Sequence, residues 1–397
     1  MKSSGTIGVG VLGMGPRGIT FGVRRVMESD PRARIAAICD RDADQLAYAK
    51  ADTKLDCAAY TELDQLLADD NVDVVINCTD DPDHYATSLA ILEAGVHLYL
   101  EKPMAQTVEH CDELIAAWRR RPAVFMVGLE LRYSSVFTDL RAIVDAGDIG
   151  AIKLGTVVDN VSVGGNYYFH GRDRREAHVR SLMLEKGTHS LDLINWYVGS
   201  RPTRVFCSAG LAVFGGREPN DKRCRACETA TSCPYFVKPK GFRLDYGGVV
   251  RDMEDYCVWA KEVDVDDHGI ILIDYASGAR VSYMECHFTP EYSREFTFIG
   301  TRGKVEAYYD NEQNFRIVLK KRHDDHVDER FPAKLEGAHG GGDPRIIRTF
   351  LDLVERGDPI AHGIESARDS AAIAISALAS RKSGMPVDVP ALSVVVQ

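Results

Sequence analysis

Three groups of residues in this chain have the types and spacing for chemistry. The first is the turn Gly13-Met14-Gly15-Pro16-Arg17-Gly18, directly after the apolar run Ile7–Leu12. Glycines so spaced allow a tight turn, close approach of backbone to a pyrophosphate, and close helix–strand packing. The N–H groups of the helix start then face the phosphates. Pro16 is compatible, since an N–H there has no intrahelical partner. The next apolar run, Arg34–Cys39, ends in Asp40. A carboxylate there accepts hydrogen bonds from an adenosine ribose diol and repels a 2′-phosphate, whereas Arg41 beside it could pair with one. A bound dinucleotide is expected, NAD in preference to NADP.

The second group is Glu101-Lys102-Pro103, which follows the run His97–Leu100. The third is Glu185-Lys186-Gly187-Thr188-His189-Ser190-Leu191-Asp192, inside a helix predicted over Leu182–Val198. Spacings of i, i+4 and i+7 put Glu185, His189 and Asp192 on one face of that helix. Gly187 there costs about 1 kcal/mol relative to alanine, which implies that something approaches closely. Lys186, three residues before His189, faces substrate or solvent. Removing a hydride from a secondary alcohol needs a base for the O–H proton. A partly desolvated lysine beside a cationic nicotinamide is expected to have its pKa pushed down. His189 titrates near neutrality unaided. Lys102 and His189 are the acid/base candidates, with Glu185 nearby.

Two further motifs stand apart. Of ten cysteines, Cys224, Cys227 and Cys233 cluster with C-x2-C-x5-C spacing. Tight thiolate spacing in a polar, irregular stretch suits a structural zinc, whose sites want four ligands. The fourth would come from Cys207, Cys257, a histidine or another chain. The remaining thiols are scattered, as in a reducing compartment. In His339-Gly340-Gly341-Gly342-Asp343-Pro344, Asp343 is placed to cap a helix with Pro344 at its first position. His339 could reach a cleft.

The elements that must position these groups fall into two textures. Up to about residue 133, strands alternate with helices, meaning βαβ units and a parallel sheet. Helices are expected over Ile19–Glu28, Asp42–Ala51, Tyr85–Glu93 and Val108–Arg119. Beyond that, long alternating strands at 152–163, 204–211, 258–265, 269–275, 279–287, 295–300 and 303–309 are separated by hairpin turns. They predict an α+β domain with a largely antiparallel, open-faced sheet. The division is 1–133 for nucleotide binding and 134–397 for substrate and oligomerisation. Residues 213–256 form the cysteine-bearing insertion. Late helices are expected over Pro344–Glu355 and at 367–383, the last packing back on the first domain.

Together these motifs resemble the Gfo/Idh/MocA family of NAD(P)-dependent sugar and cyclitol oxidoreductases. They are the glycine turn, E-K-P, the G-x-x-x-R-[FY] segment Gly128–Tyr133, and a D-x-G-x-H-x-x-D helix. The resemblance implies a Rossmann domain plus an open-faced sheet domain, with Lys102 and His189 flanking a substrate hydroxyl. It brings Thr79, His84 and Glu101 to the cofactor side, and Arg132, Lys186, Asp192 and His339 to the substrate side. Tyr168 and His170, in a loop after Gly164-Gly165 and Tyr167, are expected to touch substrate. Three departures are visible: Glu185 replaces aspartate, Glu130 stands where asparagine is frequent, and Pro82 is displaced within Thr79–His84. Some relatives use retained NAD to oxidise a sugar C3 transiently and cleave a glycoside. That alternative would recruit Glu185, Tyr168 or His170. A non-catalytic NAD-binding regulator is the third reading.

Composition bounds the rest. The chain has 397 residues, 45% of them hydrophobic, enough for two or three domains with real cores. With 48 Lys+Arg against 59 Asp+Glu the net charge is −11, which argues against nucleic acid or an anionic membrane as partner. No apolar run reaches the roughly 18–20 residues of a membrane helix, and the glycine-punctuated start is unlike a signal peptide. A cytoplasmic homodimer or homotetramer, formed through the C-terminal sheet, is expected.

Overall fold

The computed structural model describes residues 5–162, 168–237, 243–246, 249–252, 254–357 and 361–392; Gly164, Gly165 and Tyr167 lie outside them. The N-terminal strands are β1 (Ile7–Leu12), β2 (Ala33–Cys39), β3 (Ala58–Tyr60), β4 (Val74–Asn77), β5 (His97–Leu100) and β6 (Phe125–Val127). All pair in parallel, in the order β6-β5-β4-β1-β2-β3. Their near-continuous apolar runs suit a sheet covered on both faces. This is the Rossmann arrangement. The strand order reverses between β1 and β4, and ligands bind at the carboxyl ends of strands beside such a reversal. The turn after β1, Thr79 after β4 and Lys102 after β5 all emerge at that edge.

The second sheet has nine strands. They are β7 (Ile152–Asn160), β8 (Pro202–Gly210), β11 (His268–Tyr275), β12 (Arg280–Cys286), β13 (Ser293–Gly300), β14 (Gly303–Tyr309), β15 (Arg316–Lys321), β16 (Val327–Arg330) and β18 (Val387–Asp388). A separate ribbon in the insertion supplies β9 (Arg243–Tyr246) and β10 (Val249–Asp252). The order is β16-β15-β14-β13-β7-β12-β11-β8-β18, antiparallel throughout except for β7 with β12. Helices Thr188–Val198 and Ile364–Ser383 cover one face through Leu191, Ile194, Ala371 and Ala374. The other face carries cross-strand pairs of half-exposed apolar residues: Phe206 with Leu272, Ile270 with Met284, Leu154 with Ile299.

The late chain returns to the first sheet. β17 (Ala361–His362) pairs in parallel with β6. Helix Ala338–Arg356 places Ile346, Ile347, Phe350 and Leu351 in one core with Val9, Val11, Val74 and Ile76. Helix Ile364–Ser383 packs against helix Val108–Arg120 as well as against β8.

Four elements differ from the sequence reading. Residues 258–265 form turns, not a strand, with Val258, Val263 and Val265 packed in a satellite core beside Phe169 and Phe214. The helix after the glycine turn starts as a π-helix over Gly18–Arg25 and tightens into α only over Val26–Ser29. Helix 182–198 breaks at Lys186-Gly187 into Leu182–Glu185 and Thr188–Val198. His339, Gly340 and Gly341 adopt left-handed backbone, so the later helix is kinked at its start.

Candidate active site

The glycine turn is shaped for a close approach. Gly13 has φ +84°, and a Cβ on it would lie 2.6 Å from the Cys78 carbonyl oxygen. A Cβ on Gly18 would lie 1.9 Å from the Gly13 oxygen, so helix and strand touch there. At Gly15 a Cβ would meet nothing within 4 Å, which leaves the backbone open on the side where a pyrophosphate would sit. Asp40 accepts from the Met14 N–H (2.7 Å) and from the Asp42 N–H (3.0 Å), which aims the carboxylate at the turn. Arg41 is exposed and reaches Asp83 at 3.4 Å. These residues fit a dinucleotide.

Two expected cofactor contacts act from behind. His84 is buried, with Nδ1 2.7 Å from the Pro103 oxygen and Nε2 3.0 Å from the Thr79 oxygen. It joins the loops after β4 and β5. Thr79 is itself held to Asn77 Oδ1 through its N–H (3.1 Å) and hydroxyl (2.8 Å).

Lys102 crosses between the sheets. Its Nζ donates to the Glu185 carbonyl oxygen at 2.8 Å and also pairs with the Glu185 carboxylate. Burial alone would pull the Lys102 ammonium down, but Glu185 and Asp81 outweigh it and hold the pKa above its ordinary value. Desolvation, one cause behind the lowering expected beside a nicotinamide, is thus outweighed by the neighbouring carboxylates. Asp81 and Asp173, which sequence reasoning missed, complete the cluster. Burial and the Glu185 charge push Asp81 up strongly, and the same two causes raise Asp173 to about 7.

His189 is the opposite case. Burial, helped by the charges of Arg294 and Lys102, drives its pKa well below the usual range, so the imidazole is neutral. Its Nδ1 is buried and has no hydrogen-bond partner among the described residues. Nε2 lies 3.9 Å from Glu130 Oε1. Glu130 in turn sits 3.2 Å from His339 Nδ1, which is 2.8 Å from Asp343. Asp343 thus serves His339, and no side chain caps the kinked helix, contrary to expectation. Arg17 closes the group: Nε donates to Glu101 at 2.7 Å, with Glu130 at 3.5 Å and Asp343 at 3.6 Å. Among the described residues, Glu130, His189 and His339 bring potential metal-ligand atoms mutually within 4.8 Å. Arg17 already supplies the positive charge that this group would draw from an ion.

Behind His189, β7, β12 and β13 contribute a buried polar floor. The Tyr283 hydroxyl donates to Asp159 (2.9 Å) and Glu285 (2.6 Å), Ser190 donates to Asp159 (2.8 Å), and Arg294 pairs with Asp159 at 2.9 Å. Gly187 is where this floor comes closest: a Cβ would stand 2.9 Å from both the Tyr283 hydroxyl and Glu285 Oε2. The close approach expected of Gly187 is real. Lys186 reaches the Tyr292 hydroxyl at 3.4 Å. Burial would raise that phenol, but Arg294 and Lys186 bring it down to about 8.

Other expected substrate contacts have partners within the protein. Arg132 and Asp192 form a two-pronged pair, each contact 2.6 Å, and Ser366 donates to Asp192 at 2.7 Å. Asp192 is thus held by Arg132, and Glu185 by Lys102. Tyr168 is buried edge-on against His287 in the satellite core. His170 is buried as well, with its ring nitrogens 2.6 and 2.9 Å from the Tyr256 and Tyr235 oxygens of the insertion. Neither residue joins the Lys102–His189 cluster, because the loop folds onto the cysteine-bearing segment.

Residues 7–129 match the GFO_IDH_MocA family model, an oxidoreductase family with an NAD-binding Rossmann fold. Residues 137–306 match the GFO/IDH/MocA C-terminal domain. The chain is 24% identical to the YteT protein of Bacillus subtilis (strain 168), covering 89% of this chain and 88% of that one. It is 28% identical to inositol 2-dehydrogenase of Pseudomonas fluorescens (strain SBW25) over 47% of this chain and 53% of that one. With 2,7-anhydro-N-acetylneuraminate hydratase of Mediterraneibacter gnavus the identity is 24%, covering 55% of this chain and 56% of the relative. The chain thus spans about half the length of the latter two. A structure of levoglucosan dehydrogenase with NADH and levoglucosan superposes with a TM-score of 0.74 at 17% identity, covering 97% of this chain and all of that one.

Proposed function

Because the chain belongs to the Gfo/Idh/MocA oxidoreductase family, we propose that it uses NAD to move a hydride to or from a secondary hydroxyl of a sugar, sugar derivative or cyclitol. One observation carries the reading. A charged lysine from the Rossmann sheet and a neutral, buried histidine with an unpartnered ring nitrogen meet at the cofactor edge. Bound NAD supplies a hydride acceptor or donor. During oxidation His189 takes the hydroxyl proton, and Lys102 donates to the same oxygen and stabilises the charge that develops there. Glu185 and Asp81 keep Lys102 charged and hold it in place. His339, Glu130 and Asp343 lead from the far side of His189 towards the edge of the site, a route by which the proton can leave. Asp40 favours NAD over NADP.

A redox-neutral glycoside cleavage is the second reading, favoured by Asp173. A carboxyl raised to about 7 beside Lys102 and Glu185 is an additional acid of the kind that elimination needs. The relative named as a hydratase of an anhydro sugar supports this class of reaction.

The half-exposed apolar pairs on the open sheet face support a second copy seated there. No described helix is long and apolar enough to cross a membrane.

The deciding experiment is an absorbance screen at the NADH band across inositols, free sugars, sugar acids and glycosides. Net NADH formation with a free polyol or sugar supports dehydrogenation. Glycoside cleavage with retained cofactor and no net NADH replaces it with the second reading, and ligand binding without turnover defeats both.

A further inference from the structure

The insertion between β8 and β11 carries thiol chemistry that the reacting centre leaves unused. Cys224, Cys227, Cys233 and a fourth residue, Cys257, line one cavity of about 130 Å³, and all four are free thiols. The main chain gathers them. Arg223 and Tyr256 form an antiparallel bridge, which sets Cys224 opposite Asp255 and Cys257 opposite Lys222, so the two cysteines lie diagonally across the bridge. The Cys224 N–H donates to the Asp255 oxygen at 2.7 Å and the Cys257 N–H to the Lys222 oxygen at 2.9 Å. A tight turn over Cys224–Ala226 delivers Cys227, and the Cys233 N–H closes a second turn on Thr229 at 3.1 Å.

Two alternative sources of a fourth ligand within the chain are otherwise engaged. His170 Nδ1 lies 3.9 Å from Cys224 Sγ, yet both its ring nitrogens already face carbonyl oxygens. Cys207 sits on β8, its N–H bonded to Ser380 and its sulfur 4.0 Å from Met183. Cys257 remains. Backbone N–H groups of Val237, Thr229 and Trp259 bond to the sulfurs of Cys224, Cys227 and Cys257. Lys222, Arg223 and Arg217 line the same cavity, with Lys222 paired to Glu218 and Arg223 to Asp255.

We propose that Cys224, Cys227, Cys233 and Cys257 bind one zinc ion in a closed, four-thiolate structural site. No three of the four sulfurs lie mutually within 4.8 Å, so they ring the cavity more widely than the tetrahedron they would form, and Zn–S bonds of about 2.3 Å would have to draw them inward. The site staples the insertion to the segment that carries Asp173. His170 docks on the Tyr235 and Tyr256 oxygens, and Arg174 donates to the Cys257 oxygen at 3.2 Å. The site is independent of which reaction the enzyme performs.

The test is elemental analysis of the full chain, purified under reducing conditions without added metal. About one zinc per chain is expected, falling below a tenth in Cys257→Ser and Cys227→Ser and unchanged in Cys207→Ser. Displacement of the zinc by cobalt should give the intense visible bands of tetrahedral thiolate coordination. Should the serine variants fail to fold, thiol titration of wild type with a mercurial answers the question. Zinc release must track modification of these four cysteines, identified by mass spectrometry. Less than a tenth of a zinc in wild type, iron–sulfur absorption in its place, full zinc in Cys257→Ser, or release without modification of the four would each overturn the assignment.

Discussion

Lys102 and Glu185 are bonded twice across the boundary between the two sheets, once through the Glu185 carbonyl at 2.8 Å and once through its carboxylate. The lysine ends a parallel strand of the nucleotide unit, while the glutamate ends the short helix before His189. The pair therefore ties the carboxyl edge of the Rossmann sheet to the segment that carries His189.

Lys102→Met and His189→Ala should each lower kcat by about 10²–10⁴-fold. NAD affinity, measured by fluorescence titration, should stay within a few-fold. A loss confined to cofactor affinity would reduce Lys102 to a structural tie between the sheets, and near-normal turnover in His189→Ala would send the search for the base to Asp173.

Asp40→Ser should raise the NADP/NAD ratio of kcat/KM several-fold by removing the carboxylate that repels a 2′-phosphate. Asp40 also holds the Met14 N–H at 2.7 Å, so the NAD KM should rise in the same variant. An unchanged ratio discards the assignment of cofactor choice to this residue.

Asp173 should impose a titration near pH 7 on kcat/KM, because burial and Glu185 raise its carboxyl to about 7. The folded state holds this proton over a pH range in which the unfolded chain, at the ordinary carboxyl value, has lost it. Stability from this group is thus present at low pH and declines as pH rises from about 4 to 7. His189 adds no inflection there, since its pKa lies well below the usual range. The profile of Asp173→Asn should lose the step; a step that survives belongs to another group.

Arg132→Ala should destabilise the chain by about 3–5 kcal/mol in urea unfolding, because it strands the buried Asp192 carboxylate. The double change Arg132→Met, Asp192→Leu should recover much of that loss. A large rise in substrate KM with unaltered stability would return this pair to the substrate side.

Much of this architecture was legible because it is local. The glycine turn, the runs that become β1, β2, β4 and β5, and the Lys102 and His189 segments each announce themselves within about ten residues. Contacts between distant segments did not. Asp81 and Asp173 look like ordinary loop acids until folding sets them against Glu185, and Asp159, Tyr283, Glu285 and Arg294 look like routine strand residues. The 182–198 pattern is helical throughout. Gly187 marked a close approach but not a break; the helix is interrupted there against Tyr283 and Glu285, and Asp192 beyond it pairs with Arg132. His170 was drawn to the substrate by its loop, yet the pull of the insertion, invisible in its own neighbourhood, decided its place.

The return of the late chain to the first sheet has a consequence for biosynthesis. Val9, Val11, Val74 and Ile76 are made early, but their core is sealed by Ile346, Ile347, Phe350 and Leu351, and the β6 edge by residues 361–362. On the ribosome the glycine turn emerges long before the partners that cover its supporting strands. A fragment ending near residue 133 would carry every nucleotide-binding motif and still expose an apolar seam. The core of the nucleotide-binding unit is therefore completed only after translation has passed most of the substrate domain.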